Sequence, residues 1–446
     1  MSGGTPADGS GRPIRPRPRG IRPGLVALVT VATLGTTGAG LPIYAERHVR
    51  LPLLTAAVAL GAGDRRVPLT GPVPGALFPG TRVLRSGADA ADAERAEAQR
   101  RWLADGDVPG PASTSDLVAN ALLDLDTLTL PGGACIAGWP RPWRYVWPRD
   151  ASFAAAALAS AGHVDDAVAI LAFLQAMLPP SGIFQARYRP DGSGPPDDRG
   201  EQSDSTGLVL WATAEVWRHA DDHVIASAVL ARLRPLIDVA ADAALRLTAG
   251  PAVLPPASAD YWEVADSRLS LGTAAPLAAG LAAAADLYTA LGSPVRAATL
   301  GARARALDLA IDATFGRTGY GRYLAATALD ASVAFLLPPF RPPARLQVLA
   351  AWRRAAQSMR RPAGGLAPGA AWKDDGVSWT PETALFALTA AATGQRELAE
   401  SWLGWLQTHT TAFGALPEKV LSDGSPAGPA PLAFTDALVV LAAAAL

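Results

Sequence analysis

Apolar residues recur at helical spacing along nearly the whole chain from residue 88 onward, and Gly, Pro and Asp punctuate the pattern. The periodicity predicts helices over Ala88–Leu103, Thr114–Leu128, Arg149–Ser160, Val164–Leu178, Ser203–Ala220, Val224–Thr248 and Ala274–Leu291. It continues over Pro294–Phe315, Ala328–Leu337, Ala344–Gln357, Pro381–Thr393, Glu397–Thr410 and Leu432–Leu446. No sustained alternation of period two and no Asn-Gly hairpin interrupts them, so the pattern predicts an all-α fold rather than an α/β sheet. A period of about 28 residues per helix suits helix pairs arranged in a ring, though open all-α packing has the same signature.

The N-terminal region breaks the pattern. Residues 1–22 are rich in Gly, Pro and Arg, with Asp8 as their only acid, and residues 23–45 carry no charge. A run of about 23 residues, or about 34 Å as a helix, is long enough to cross a bilayer core of roughly 30 Å. The arginines before it predict a cytoplasmic tail over 1–22 and an exported remainder. An uncleaved anchor over 23–45 and a signal peptide cut after Gly38-Ala39-Gly40 both fit, and the length of the run favours the anchor. Both readings export the rest, in one case held at the cell membrane and in the other secreted. Residues 46–85 repeat Pro and Gly and read as an irregular spacer, which leaves 86–446 as the folded domain.

Composition narrows the function. Half of the 446 residues are hydrophobic and only 18% are charged, enough for a large core. A net charge of -1 gives no basic excess for nucleic acid. The single cysteine, Cys135, excludes an intrachain disulfide. His219 and His223 stand at i,i+4 spacing, but no third ligand accompanies them, so a solvated helix end is the expected reading and no metal is called for. No cofactor motif is present either.

The long connections hold the unusual chemistry. Leu130–Pro148 contains Trp139, Trp143, Tyr145 and Trp147; Gly250–Ser270 contains Asp260-Tyr261-Trp262-Glu263; Ala363–Thr380 contains Trp372 and Trp379; Ala412–Pro431 contains Leu416-Pro417-Glu418. Aromatic faces bind the apolar faces of sugar rings, and an adjacent Arg149 and Asp150 can hydrogen-bond neighbouring hydroxyls in fixed geometry. As pure structure, Asp150 suits a helix N-terminus but Arg149 does not. Asp204 and Glu382 have the same plain reading as first-turn acids.

In this order the segments resemble glycoside hydrolase family 15, the glucoamylase-like enzymes. Tyr145-Val146-Trp147-Pro148-Arg149-Asp150 is similar to the segment that holds the outermost glucosyl unit in that family, and Gln202-Ser203-Asp204-Ser205-Thr206-Gly207 to an element at a helix start. Asp260-Tyr261-Trp262-Glu263 resembles the segment of the general acid, and Leu416-Pro417-Glu418 that of the general base. The resemblance covers roughly residues 100–446 and implies an (α/α)6 barrel that binds and cleaves terminal α-glucosidic bonds with inversion. It implies Glu263 as acid and Glu418 as base, with Tyr145, Trp147, Arg149, Asp150, Asp204, Trp262 and Glu382 as substrate-binding residues. The expected partners are an α-glucoside or α-glucan, and the membrane through the N-terminal segment.

The chain also departs from the family. Val264 follows Glu263 where an acid is common, Ser378-Trp379-Thr380-Pro381-Glu382 lacks the usual Arg, and Asp197-Asp198-Arg199-Gly200 replaces an aromatic. The alternative these losses leave is a catalytically degenerate, tethered carbohydrate-binding protein. The environment predicted for Glu263 is a desolvated one between Tyr261 and Trp262, which keeps a carboxyl protonated, and that for Glu418 is polar.

Overall fold

The computed structural model describes residues 50–446 except 72, 74, 86–88 and 221. The calls on residues 1–22 and 23–45 lie outside these described residues. The described residues form one compact unit.

After a two-stranded hairpin, β1 (Ala57–Leu60) and β2 (Arg66–Leu69), the fold is almost wholly helical. The first helices are α1 (Ala90–Asp105), α2 (Ser115–Leu128), α3 (Pro148–Ser160), α4 (Val164–Met177), α5 (Asp204–Arg218) and α6 (His223–Leu247). They are followed by α7 (Leu271–Ala290), α8 (Pro294–Thr314), α9 (Leu346–Ser358), α10 (Thr380–Ala392), α11 (Arg396–Thr408) and α12 (Ala433–Ala444). The stretch Ala328–Leu337, expected to be α-helical, instead forms a short 3-10 segment, Ala331–Leu336. Asp330 caps its start through the Ser332 N–H, and Pro338 disfavours helical geometry at the residue before it.

Two kinds of helix alternate. Those of the inner set are small-residue-rich and buried on nearly every face: in α3 only Ser160 escapes, and α10 and α12 are alike. The outer helices bury one stripe, such as Val348, Ala351, Trp352 and Ala355 in α9, or Ala399, Trp402, Leu403 and Leu406 in α11. That i, i+3, i+4, i+7 spacing is the mark of a helix with one solvated side. The inner elements pack in the order α3, α5, α7, the 3-10 segment, α10 and α12, and α12 returns to α3. Against them from outside lie α4 on α3, α6 on α5, α8 on α7, α9 on the 3-10 segment, α11 on α10 and α2 on α12.

Small residues permit the close inner packing. A Cβ on Gly207 of α5 would lie 2.1 Å from the Pro276 carbonyl of α7, and one on Gly280 would lie 2.5 Å from the Gly207 Cα. Among the described residues α7 is the one helix long and apolar enough to cross a membrane, yet 83% of its apolar window is buried in this wall. Rings of Phe153, Trp211, Phe335, Phe340 and Phe434 meet at centroid separations of 4.9–6.5 Å and fill the interior.

Residues 50–85 correct the spacer reading. β1 is buried along its full length, and the Leu54 N–H and Gly428 N–H exchange hydrogen bonds with the Gly428 and Pro52 carbonyls, at 2.8 and 3.0 Å. Arg82 donates from Nε and Nη2 to the two Asp124 oxygens at 2.5 and 2.7 Å, both side chains being almost solvent-free. The apolar run Ala56–Leu60 and this buried ion pair bind the segment to the domain, which Pro and Gly content alone does not reveal.

Candidate active site

A cavity of about 200 Å³ opens where several inner helices begin. The N-terminal turns of α3, α10 and α12 contribute Arg149 and Asp150, Pro381 and Glu382, and Phe434 to its lining. The loops contribute five tryptophans (Trp143, Trp147, Trp262, Trp372 and Trp379) together with Tyr261, Glu263 and Glu418. Helix starts expose unpaired N–H groups and a partial positive charge, so acids collect there. Asp150, Asp204, Glu382 and Asp436 occupy the first turns of α3, α5, α10 and α12, all of them buried.

The loop before α7 is fixed from beneath. Asp260 is buried and accepts from the Trp262 N–H at 3.0 Å, Ser270 Oγ at 2.6 Å and Arg322 Nη2 at 2.7 Å. The Arg322 guanidinium lies 3.8 Å from the Trp262 ring centre. The Glu263 N–H closes a turn onto the Asp260 carbonyl at 2.8 Å, and Glu263 itself has φ +54°. A non-glycine residue held in the left-handed region is strained, and such strain concentrates at functional positions.

The Glu263 environment differs from the desolvated one expected. Tyr261 donates its hydroxyl to Asp330, and Trp262 packs edge-on against Trp372 with centroids 4.7 Å apart. The Glu263 carboxylate instead accepts from Arg149 Nη1 and Nη2 at 3.2 Å and Gln202 Nε2 at 3.1 Å on Oε1, and from Arg199 Nη1 at 3.2 Å on Oε2. Arg199 lies in the segment where the family's aromatic is missing, and no helical or motif signal pointed to it.

Glu418 sits at a three-stranded patch formed by β5 (Ser378–Trp379), β6 (Lys419–Val420) and β7 (Pro426–Ala427), numbered after β3 (Thr129–Leu130) and β4 (Ala134–Cys135). Its N–H donates to the Pro429 carbonyl at 2.9 Å, and its carbonyl accepts from the Thr380 N–H at 3.1 Å. Its Oε1 accepts from Trp143 Nε1 at 3.1 Å and its Oε2 from Lys419 Nζ at 2.5 Å. The Lys419 ammonium also rests 4.3 Å from the Trp379 ring centre, a cation–π contact.

Arg149 joins the parts of the site, reaching Asp150 Oδ1 at 3.1 Å, Asp204 Oδ2 at 3.6 Å and Glu263. Burial opposes its charge, but Asp150, Glu263 and Asp204 outweigh burial and hold the guanidinium protonated. Burial pushes Asp150 up to about 6 and Asp204 up to about 7, with Arg149 opposing in each case. Burial likewise pushes Glu382 up to about 8, its own backbone N–H opposing and Glu418 and Asp330 adding to the rise.

Of the residues singled out from sequence, Trp147, Arg149, Asp150, Trp262, Glu263, Glu382 and Glu418 line the one cavity. Tyr145 and Asp204 do not. Tyr145 stands behind Trp147, edge-on at 6.3 Å, with the Arg187 guanidinium 4.4 Å from its ring centre. Asp204 is buried beneath Arg149. Trp143, Trp372, Trp379 and Phe434 were not identified as lining residues, although the density of tryptophan in two loops was a usable signal. Among the described residues no group of three or more His, Cys, Asp or Glu is arranged to hold a metal ion.

No protein-family model matches the sequence, and no curated protein matches it. Solved structures do. A wild-type glycosidase aligns at 24% identity and TM-score 0.63, over 78% of this chain and 98% of the other. A bacterial glucoamylase complexed with acarbose aligns at 17% identity and TM-score 0.64, over 80% of this chain and 59% of the other. The glycoside hydrolase family 15 glucoamylase from Hypocrea jecorina aligns at 15% identity and TM-score 0.60, over 75% and 71%. The chain has the glucoamylase-like fold of glycoside hydrolase family 15.

Proposed function

We propose that this chain is an inverting glycosidase that removes terminal α-glucosyl units, with Glu263 as general acid and Glu418 as general base. The observation that carries the reading is the convergence of these two glutamates, from loops far apart in sequence, on one tryptophan-lined cavity. Inverting hydrolysis needs a protonated carboxyl at the leaving oxygen and an ionised one holding a water on the opposite face of the sugar. Glu418, held by an indole N–H and an ammonium, is suited to the second task. Glu263 is paired with Arg149 and Arg199 and can act as acid only from its carboxylic-acid form. A sugar hydroxyl that engages Arg149 loosens the buried half of that pairing, which ties acid activation to occupancy of the cavity. The reaction uses carboxyl groups and water, without a metal or cofactor.

The closed order of inner elements supports the (α/α)6 barrel. The uncharged run over 23–45 supports an exported domain, anchored at the cell membrane, with secretion after cleavage as the alternative. Incubating the full chain with a panel of α-glucosides and following the anomer released tests the reaction. β-Anomeric glucose, lost in Glu263→Gln, is the expected result.

The second reading, a carbohydrate-binding protein without catalysis, draws on one observation: the candidate acid is saturated by donors. It predicts binding without turnover on every substrate of the panel.

A further inference from the structure

Glu418 sits in a loop with little order of its own. β6 and β7, between α11 and α12, are two residues each, and a hairpin of that size is marginal in isolation. The returning stretch of this loop, Gly428-Pro429-Ala430, is gripped by residues 52–55, from the far end of the sequence. Both main-chain polar groups of Gly428 are taken there: its N–H donates to the Pro52 carbonyl at 3.0 Å, and its carbonyl accepts from the Leu54 N–H at 2.8 Å. The Ala430 N–H donates to the hydroxyl of Thr55, a buried side chain, at 3.1 Å. Between these two residues stands Pro429, whose carbonyl accepts the Glu418 N–H at 2.9 Å. The Gly428 backbone also packs against the Glu418 side chain, so closely that an added Cβ would lie 3.3 Å from the Glu418 Cβ.

We infer that residues 52–56 form a positioning strap for the active site, holding Glu418 in place through Gly428, Pro429 and Ala430, with Thr55 as its central side chain. The inference deepens the glycosidase reading and rests on it for the role of Glu418. Thr55 does not line the cavity, so it acts only through the stretch that it holds. The strap is itself fixed from the other side. The Ala56 N–H donates to the Leu69 carbonyl at 2.6 Å, the Ala56 carbonyl accepts from the Thr411 hydroxyl at 2.6 Å, and the buried strand β1 follows directly. Restraint thus passes along an unbroken path from the β1–β2 hairpin to the candidate base. A base that must hold a water at a set distance from the sugar loses rate steeply when it is displaced. Sugar contacts made by Arg149 and Asp150 depend on α3 and not on this loop. Loosening the strap therefore acts on kcat and leaves KM nearly alone.

The test compares Thr55→Val, which keeps the shape and removes the hydroxyl acceptor, with Thr55→Ser, which keeps the hydroxyl, both in the full chain. With methyl α-D-glucoside as substrate, Thr55→Val should lower kcat about tenfold with KM within about twofold of wild type, and Thr55→Ser should restore most of the rate. Thr411→Val frees the Ala56 carbonyl and should give the same pattern at a smaller size. Hydrogen exchange read by mass spectrometry reports the restraint without turnover. Thr55→Val should speed exchange about tenfold in peptides spanning 416–431 and leave peptides of α4 and α5 unchanged. A Thr55→Val protein with wild-type kcat and wild-type exchange at 416–431 overturns the inference, even where its thermal midpoint falls, since that is the behaviour of a contact serving stability alone. A loss that Thr55→Ser does not repair, or one that falls on KM instead of kcat, also overturns it. Wild type that turns over no glucoside removes the glycosidase reading, and the exchange experiment then decides alone. Faster exchange at 416–431 keeps the strap as the restraint on Glu418, and unchanged exchange there overturns it.

Discussion

The two sides of the cavity are built differently. On one side Glu263 hangs from a loop turn in a left-handed conformation, and its position is set by charge: two arginines and a glutamine converge on its carboxylate. On the other, Glu418 is held through its main chain, tied to Pro429 and to the start of α10, before one indole and one ammonium fix its oxygens. A group restrained by backbone keeps its place whatever its protonation state. A group restrained by ion pairs changes its surroundings when it gains a proton. The contrast bears on the proposed roles, because an inverting base starts each cycle ionised whereas the acid must be reprotonated.

Removing either carboxyl is the harshest way to break that contrast. Glu263→Gln and Glu418→Gln should each lower kcat by about 10²–10⁴-fold in steady-state assays. Retention of more than a tenth of the activity in either would remove that residue from its role. Next is Gly428→Ala, because a Cβ there would sit 3.1 Å from Glu418 Oε2 at a residue with φ +78°. It should depress kcat more than a Trp143→Phe change, which removes one donor to a charged group and should cost about tenfold. Equal kinetics for Gly428→Ala and wild type would show that the main chain does not set the base. Smaller still is Arg199→Met. Arg199 is partly exposed and supplies only the outer half of the Glu263 pairing, so a change of a few-fold in kcat/KM is expected. A loss as large as that of Glu263→Gln would shift the arginine from restraint to direct participation.

A stability measurement sharpens the same picture. Asp150, Asp204 and Glu382 rise from 3.8, 3.8 and 4.5 to about 6, 7 and 8 on burial. The folded state therefore binds protons more tightly than the unfolded chain. Their contribution is full below about pH 4, where both states are protonated, and is lost as pH rises through 6 to 8. The thermal midpoint should fall between about pH 4 and 8, and Glu382→Gln should flatten the upper part of that fall. A midpoint that rises over the same interval would contradict the burial of these acids as protonated groups.

The helical scaffold and the two cavity-lining glutamates were legible in the sequence because both rest on local signals. Helical spacing is written into each segment separately, and Glu263 and Glu418 sit in segments that carry a resemblance. The stretch Ala331–Leu336 escaped because a cap and a following proline, rather than periodicity, decided its form. Residues 50–85 escaped because their order comes from distant partners, Arg82 reaching Asp124 and the backbone near Leu54 reaching Gly428. Arg199 and Lys419 were invisible for the same reason. Each is an ordinary surface-type residue until the fold brings it to a carboxylate.

The anomeric course of the reaction is the most direct test of two glutamates acting across one sugar bond. Proton NMR of methyl α-D-glucoside hydrolysis by the full chain, which frees a single glucose, should show β-glucose appearing first, at a rate lowered about 10²–10⁴-fold in both Glu263→Gln and Glu418→Gln. Release of α-glucose first, or β-glucose formed at near the wild-type rate in either variant, would contradict the assignment.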